Sequence, residues 1–255
     1  RPSDIFWRWA QTGKLPTILP DLDVLRGVSQ LPAHRDNAFI HTLKVVDAIE
    51  PTPVRRWAAL LHDIGKGPAY IETPEGRSRF FEHDQIGAAM VPEIIVAANE
   101  DEDLIEPVCR LVSLHMRPIS YDPEWTDAAV RRLREEAQEG RGEDGWRDML
   151  ALARADLRGY LPEPIDRGLW VLDQLEARAQ RLEDQERQAA LEQEQAPRSP
   201  LDGHRLLELA DRAPGPWVGD LKDHLLVQVA SGRLNMDDVT AAEALALAWL
   251  DEHDA

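Results

Sequence analysis

The sequence predicts an all-α fold, and three observations carry that prediction. Apolar residues recur at three- and four-residue intervals, as in Phe39, Leu43, Val46 and Ile49, the spacing of one helix face. Helix punctuation flanks these runs: Asp36 or Asn37 and Thr52-Pro53 at starts, Gly65 and Gly67 at an end. No segment alternates apolar and polar residues with the period of two that marks a half-buried strand.

Residues 1–33 read as short helices punctuated by Pro16, Pro20 and Pro32, with Ile5, Phe6, Trp9 and Leu15 on one apolar face. A helix over 38–49 follows, with His41 on or near the flank of its apolar stripe and His34 just before it. The next begins at Pro53, turns Trp57, Leu60 and Leu61 inward, and delivers His62-Asp63 at its last buried turn. Residues 67–82, with Pro68, Pro74, Gly76, Arg77 and Arg79, read as a polar loop. His83 opens another helix and faces back toward that loop, while Gly87 and Ala88 permit close helix packing. A helix over 100–118 ends in His115 and is stopped by Pro118. Two amphipathic helices, 124–138 and 144–158, come next, and the second sets Asp156 among small and apolar residues. Buried with no cation beside it, that acid would raise its pKa or destabilise the fold.

Residues 165–196 read as one long helix, an exposed helix, coiled-coil arm or linker, broken at Ala196-Pro197. A small helical module completes the chain. The expected domains are 1–164, 165–196 and 197–255.

The 255 residues carry 29 Lys+Arg against 47 Asp+Glu, a formal charge of -18. That balance argues against broad, non-specific nucleic-acid binding but permits a local phosphate site. The single cysteine, Cys109, excludes an internal disulfide and reads as a buried thiol. No run approaches the ~18 apolar residues of a membrane span. No signal peptide is visible. A cytoplasmic protein without membrane partners is expected.

One pattern recurs. His41, His62-Asp63, His83, His115 and Asp156 each end, or are embedded in, an apolar helix. Burying an acid beside an imidazole is costly unless something pairs with them, and a divalent cation is the simplest partner. Side chains converging from several helices build a closed nitrogen and oxygen shell.

The order His41, His62-Asp63, Asp156, in the strings HTL, LLHDIGKG and ARAD, resembles the HD-domain metal-dependent phosphohydrolase superfamily. LPDLDVLRGVSQ, EHDQIGA, LHMRP and LARADLRG resemble, more closely, the HD region of bacterial CCA-adding tRNA nucleotidyltransferases. PLDGHRLLELADRAPGPWVGDLKDHLL is similar to the module that follows it in that family. The resemblance implies an HD-domain helical bundle with a long linking helix and a small C-terminal helical module. The sequence opens at Arg1, not at a methionine, and no nucleotidyltransferase domain with paired catalytic aspartates precedes the HD region within it. The nucleotide-adding activity is therefore not carried over.

What the resemblance implies is hydrolysis of 2′,3′-cyclic phosphates and 2′-phosphates on nucleotides or RNA ends. His41, His62, Asp63 and Asp156 would hold a first metal, and Asp63 would bridge to a second held by His83 and His115. The donor set suits one or two ions of Mn, Ni, Co, Fe or Zn. Asp63 and Lys66 are the expected catalytic residues. Lys66 steadies phosphate oxygens, and Arg117 either anchors a phosphate or pairs with an acidic neighbour. Asp84 orients a ligand histidine or caps its helix. The acidic balance favours a small nucleotide or an RNA terminus, with tRNA a further candidate partner. The alternatives are a non-catalytic tRNA- or partner-binding module with a structural metal, and a phosphatase on deoxynucleotides. A cyclic-dinucleotide phosphodiesterase is disfavoured, because Gly159-Tyr160-Leu161-Pro162 is not the Gly-Tyr-Pro signature of that branch.

Overall fold

A computed structural model describes residues 1–29, 36–73, 78–159, 162–195, 198–210 and 213–253. Pro32, His34, Pro74, Gly76, Arg77, Tyr160, Leu161, Ala196 and Pro197 lie outside them. The fold is helical, as the sequence predicts, with one small hairpin among the described residues. The chain divides into two compact units, Arg1–Asp184 and Gln185–Ala255.

The first unit opens with α1 (Asp4–Gln11), α2 (Leu15–Ile18) and α3 (Pro20–Val24). Pro16 and Pro20 occupy the first turns of α2 and α3, where no intrahelical N–H is needed, so they start helices. In α4 (Ala38–Ala48) the Asn37 side chain accepts the Ile40 N–H, which resolves the cap in favour of Asn37. In α5 (Pro53–Leu61) the Thr52 side chain does the same for Arg55, and Pro53 fills the first position. Val54, Ala58, Ala59, Leu60 and Leu61 are buried on α5, and a 3₁₀ turn, Ile64–Lys66, follows.

The stretch expected to be a polar loop carries β1 (Tyr70–Glu72) and β2 (Ser78–Phe80), antiparallel, with Tyr70 opposite Phe80 and Ile71 opposite Arg79. Three residues per strand are too few for alternation to show in sequence. Then come α6 (His83–Ala97), α7 (Ile105–Leu114), α8 (Met116–Ile119), α9 (Asp127–Gln138) and α10 (Glu143–Arg158). Pro92 sits inside α6 and has no N–H to offer the Ala88 carbonyl one turn back. The Cys109 thiol on α7 reaches that carbonyl at 3.3 Å. Pro118 does not stop the helix before it. The chain breaks at His115 and α8 restarts around the proline.

The first half of α11 (Pro162–Gln195) is not exposed. Leu172, Leu175, Ala179 and Leu182 are buried, the last three in the core of the first unit. Arg134 of α9 reaches Glu183, and Arg178 reaches Asp127. These contacts place the division inside α11. The second unit holds α12 (Gly203–Ala210), α13 (Trp217–Ala230) and α14 (Val239–Glu252) around Leu206, Leu221, Leu225, Ala242, Ala246 and Leu250.

Candidate metal centre

Five elements deliver six buried polar side chains to one place. His41 comes from the middle of α4, His62 and Asp63 from the end of α5, His83 from the first residue of α6, His115 from the break after α7, and Asp156 from α10. All are buried, from 0% exposed at His62 to 8% at His83. Two triads form. In one, His41, His62 and Asp156 each present a ligand atom within 4.8 Å of the others; in the second, Asp63, His83 and His115 do so.

Asp63 stands between the triads. Its Oδ2 lies 3.3 Å from His62 Nε2 and 3.7 Å from His41 Nε2. Its Oδ1 lies 3.5 Å from His83 Nε2 and 3.8 Å from His115 Nε2. One carboxylate oxygen therefore addresses each group.

Three of the four rings are held in one way. His62, His83 and His115 each donate Nδ1–H to the carbonyl three residues earlier: Ala59 at 2.9 Å, Phe80 at 2.9 Å and Val112 at 2.6 Å. A carbonyl can only accept, so each Nδ1 carries a proton, and each ring in its neutral form turns the Nε2 lone pair into the centre. His83 Nε2 and His115 Nε2 are buried with no hydrogen-bond partner among the described residues. Such orphaned acceptors are costly inside a protein, and a cation satisfies both. The donor set is nitrogen and oxygen without thiolate, which suits a divalent transition ion. On both counts the residues fit a metal.

The electrostatics agree. Burial would raise the Asp63 carboxyl, but His62 and Lys66 hold it well below the usual carboxylate range. Burial would also raise Asp156, but the hydrogen bond from His41 at 2.8 Å and the nearby His62 lower it. The sequence-based expectation of a raised Asp156 in the absence of a cation is therefore reversed by its imidazole neighbours. Burial would lower His62, yet Asp63 and Asp156 raise it. Burial and the neighbouring His62 push His115 down to about 4.

Close backbone packing makes this convergence possible. A Cβ on Gly65 would lie 2.1 Å from the His83 carbonyl oxygen and 2.6 Å from the Gly87 nitrogen, so the turn after Asp63 rests directly on the first turn of α6. A Cβ on Gly159 would lie 2.6 Å from two atoms of the His41 ring. Gly87 was legible as a packing residue; its partner Gly65 was legible only as a helix terminator.

Lys66 is buried, with Nζ 2.6 Å from Asp63 Oδ2 and 5.6 Å from the Phe80 ring centre. Arg117 is elsewhere engaged: it pairs with Glu136 of α9, the second of its two expected fates. Asp84 lies in the first turn of α6, where its charge favours the helix dipole, and accepts from Gln85 at 3.4 Å. The sequence missed the carbonyls of Ala59, Phe80 and Val112, although the repeated three-residue offset behind each histidine was there to be read.

A family model described as the HD domain matches residues 47–212. The chain belongs to the HD-domain family. The match covers well over half of the chain and contains five of the six clustered residues; His41 lies just before it. HD domains are in general metal-dependent hydrolases, consistent with the two triads. Among curated proteins, this HD protein is 27% identical over 249 residues to an A-adding tRNA nucleotidyltransferase of Deinococcus radiodurans, covering 94% of the chain and 53% of the relative. It is 29% identical over 252 residues to a CC-adding tRNA nucleotidyltransferase of Thermus thermophilus, covering 96% and 52%. It is 32% identical over 183 residues to a multifunctional CCA protein of Ralstonia nicotianae, covering 65% and 40%. The HD protein thus spans about half the length, or less, of these relatives. Among the described residues no helix is long and apolar enough to cross a membrane.

Proposed function

We propose that this HD protein is a metal-dependent phosphohydrolase acting on phosphoesters of nucleotides or RNA ends, foremost on 2′,3′-cyclic phosphates and 2′-phosphates. The observation that carries the reading is the position of Asp63, one oxygen turned to each histidine group. In this reading His41, His62 and Asp156 would hold one cation and His83 and His115 a second, with Asp63 offering a carboxylate oxygen to each. The ion is one of Mn, Fe, Co, Ni or Zn. When bound, such ions lower the pKa of a water and neutralise phosphate oxygens.

The protein's own part is placement. The carbonyls of Ala59, Phe80 and Val112 fix the three rings before any ligand arrives, so little reorganisation is left for the reaction. The buried ammonium of Lys66 supplies fixed positive charge beside Asp63, where a non-bridging phosphate oxygen can be held. Arg117, part-exposed and paired with Glu136, would have to leave that pair to anchor a phosphate. A charge of -18 favours a small nucleotide or a chain end over the body of an RNA. The relatives' names make tRNA a natural candidate.

The test is a screen of Mn, Co, Ni and Zn against 2′,3′-cyclic AMP, 2′-AMP, 3′-AMP and 5′-AMP. The expected result is cleavage of the cyclic phosphate and the 2′-phosphate ahead of the others. A metal-loaded protein inert on a broad phosphoester panel would support a non-catalytic module with a structural metal instead.

A further inference from the structure

The hairpin between the Lys66 turn and α6 has two chemically different faces. Tyr70 and Phe80 are register partners, so their side chains share one face; Ile71 and Arg79 share the other. The Tyr70–Phe80 face looks onto the metal centre. The Phe80 ring is 6.5 Å from the His83 ring and 5.6 Å from Lys66 Nζ, and its carbonyl holds His83 Nδ1. Tyr70 lies one ring farther out, 6.0 Å from Phe80. The opposite face carries Arg79, whose guanidinium lies 5.8 Å from the ring centre of Phe81.

The hairpin is pinned where it meets the centre. Glu82, a non-glycine residue, takes the left-handed conformation at φ 55° between Phe81 and His83. Such a residue keeps this conformation only where its surroundings hold it there. The file of rings His83, Phe80 and Tyr70 is therefore anchored at its inner end and open at its outer end, where Tyr70 is 40% exposed.

We propose that Tyr70 is the stacking platform for the base of the substrate, and so the residue that makes this centre prefer nucleoside phosphates to simple phosphoesters. The proposal rests on the phosphohydrolase reading above. A phosphate held at Lys66 leaves the ribose to pass along Phe80 and the base to meet the exposed phenol ring. Every base has a π face, so stacking selects for the presence of a base and little for its identity.

The experiment compares KM and kcat for 2′,3′-cyclic AMP and for the base-less methyl riboside 2,3-cyclic phosphate, with the Mn-loaded full chain. The dissociation constant of inorganic phosphate is measured by calorimetry alongside. The wild type is expected to favour the nucleotide in KM. Tyr70→Ala, checked by a second variant Tyr70→Leu, should raise the nucleotide KM roughly ten-fold, in the range for loss of one base–aromatic stack. It should leave kcat, the base-less KM and phosphate affinity in place. Tyr70→Phe should keep the preference, and so should Phe81→Ala on the other face. Equal KM values for the two substrates in the wild type overturn the proposal and leave the phosphohydrolase reading standing. A Tyr70→Ala effect of the same size on both substrates does likewise, since it marks a structural role. A wild-type chain that cleaves neither substrate with any cation overturns the phosphohydrolase reading and this proposal together.

Discussion

Replacing Gly65 by alanine tests whether backbone packing, rather than side-chain chemistry alone, brings the two histidine groups together. The added Cβ would lie 2.1 Å from the His83 carbonyl oxygen and 2.6 Å from the Gly87 nitrogen. Both are backbone atoms, so no rotamer change relieves the clash; the turn and α6 must separate. Overpacking of a buried site costs about 1–3 kcal/mol, and two backbone clashes place this change near the top, about 3 kcal/mol. In a unit of this size each kcal/mol moves the melting temperature by about 2–4 °C, so a fall of about 6–12 °C is expected. Because α6 carries His83 at its first residue, the same separation should lower metal content. Thermal unfolding followed by circular dichroism, with metal analysis of the purified variant, reads both effects. Gly27→Ala is the control: nothing lies within 4 Å of its Cβ. A Gly65→Ala protein that melts within 2 °C of the parent, by about the margin of the control, with full metal content, would refute the reasoning.

Three further outcomes follow from the same geometry. Asp63→Ala should abolish phosphoester turnover while helical content is retained; unchanged turnover would remove the residue from the mechanism. Asp148 is buried between Arg55 Nε at 2.6 Å and Arg141 at 3.0 Å. Asp148→Ala takes one carboxylate from both guanidiniums, leaving Arg55 its Glu50 partner and Arg141 its partial exposure to water, and should cost about 2 kcal/mol in urea unfolding; a loss below about 0.5 kcal/mol would show that the pairs do not stabilise the fold. In metal-free protein, burial and His62 hold His115 at about 4 instead of 6.5, so the unfolded chain takes up a proton that the folded chain refuses as pH falls between those values. His115 thus removes about 2 kcal/mol of stability by roughly pH 5. The raised His62 acts in the opposite sense and elsewhere, its contribution being full below 6.5 and lost above it. The depressed Asp63 and Asp156 lose theirs only below 3.8. Urea midpoints of the parent and His115→Gln at pH 7 and 5 isolate the effect, and equal slopes would contradict it.

Much of this was legible in the sequence because helices announce themselves locally. Asn37, Thr52 and Pro53 mark starts by side-chain chemistry that needs no tertiary partner. The six polar residues stood out because each interrupts an otherwise apolar helix, which is unfavourable unless something compensates. What escaped depended on contacts distant in the chain or on elements too short to carry a period. The hairpin has three residues per strand. The break at His115 looked like a stop at Pro118, because proline suits a helix's first turn as well as the place after its end. The helix over 165–196 read as exposed, and only the packed core shows that Leu175, Ala179 and Leu182 are covered. Arg117 had two possible partners in sequence, and Glu136, nineteen residues away, is the one it meets.

The claim beneath the whole account is that four imidazoles and two carboxylates from five elements form adjoining cation sites joined through Asp63. Elemental analysis of the chain after saturation with Mn or Co and removal of excess tests it most directly. The account predicts two ions per chain, falling to one in His83→Ala and to none or one weakly held in Asp63→Ala. A folded parent protein that retains no ion, or that keeps two ions when Asp63 and His83 are both replaced, contradicts it.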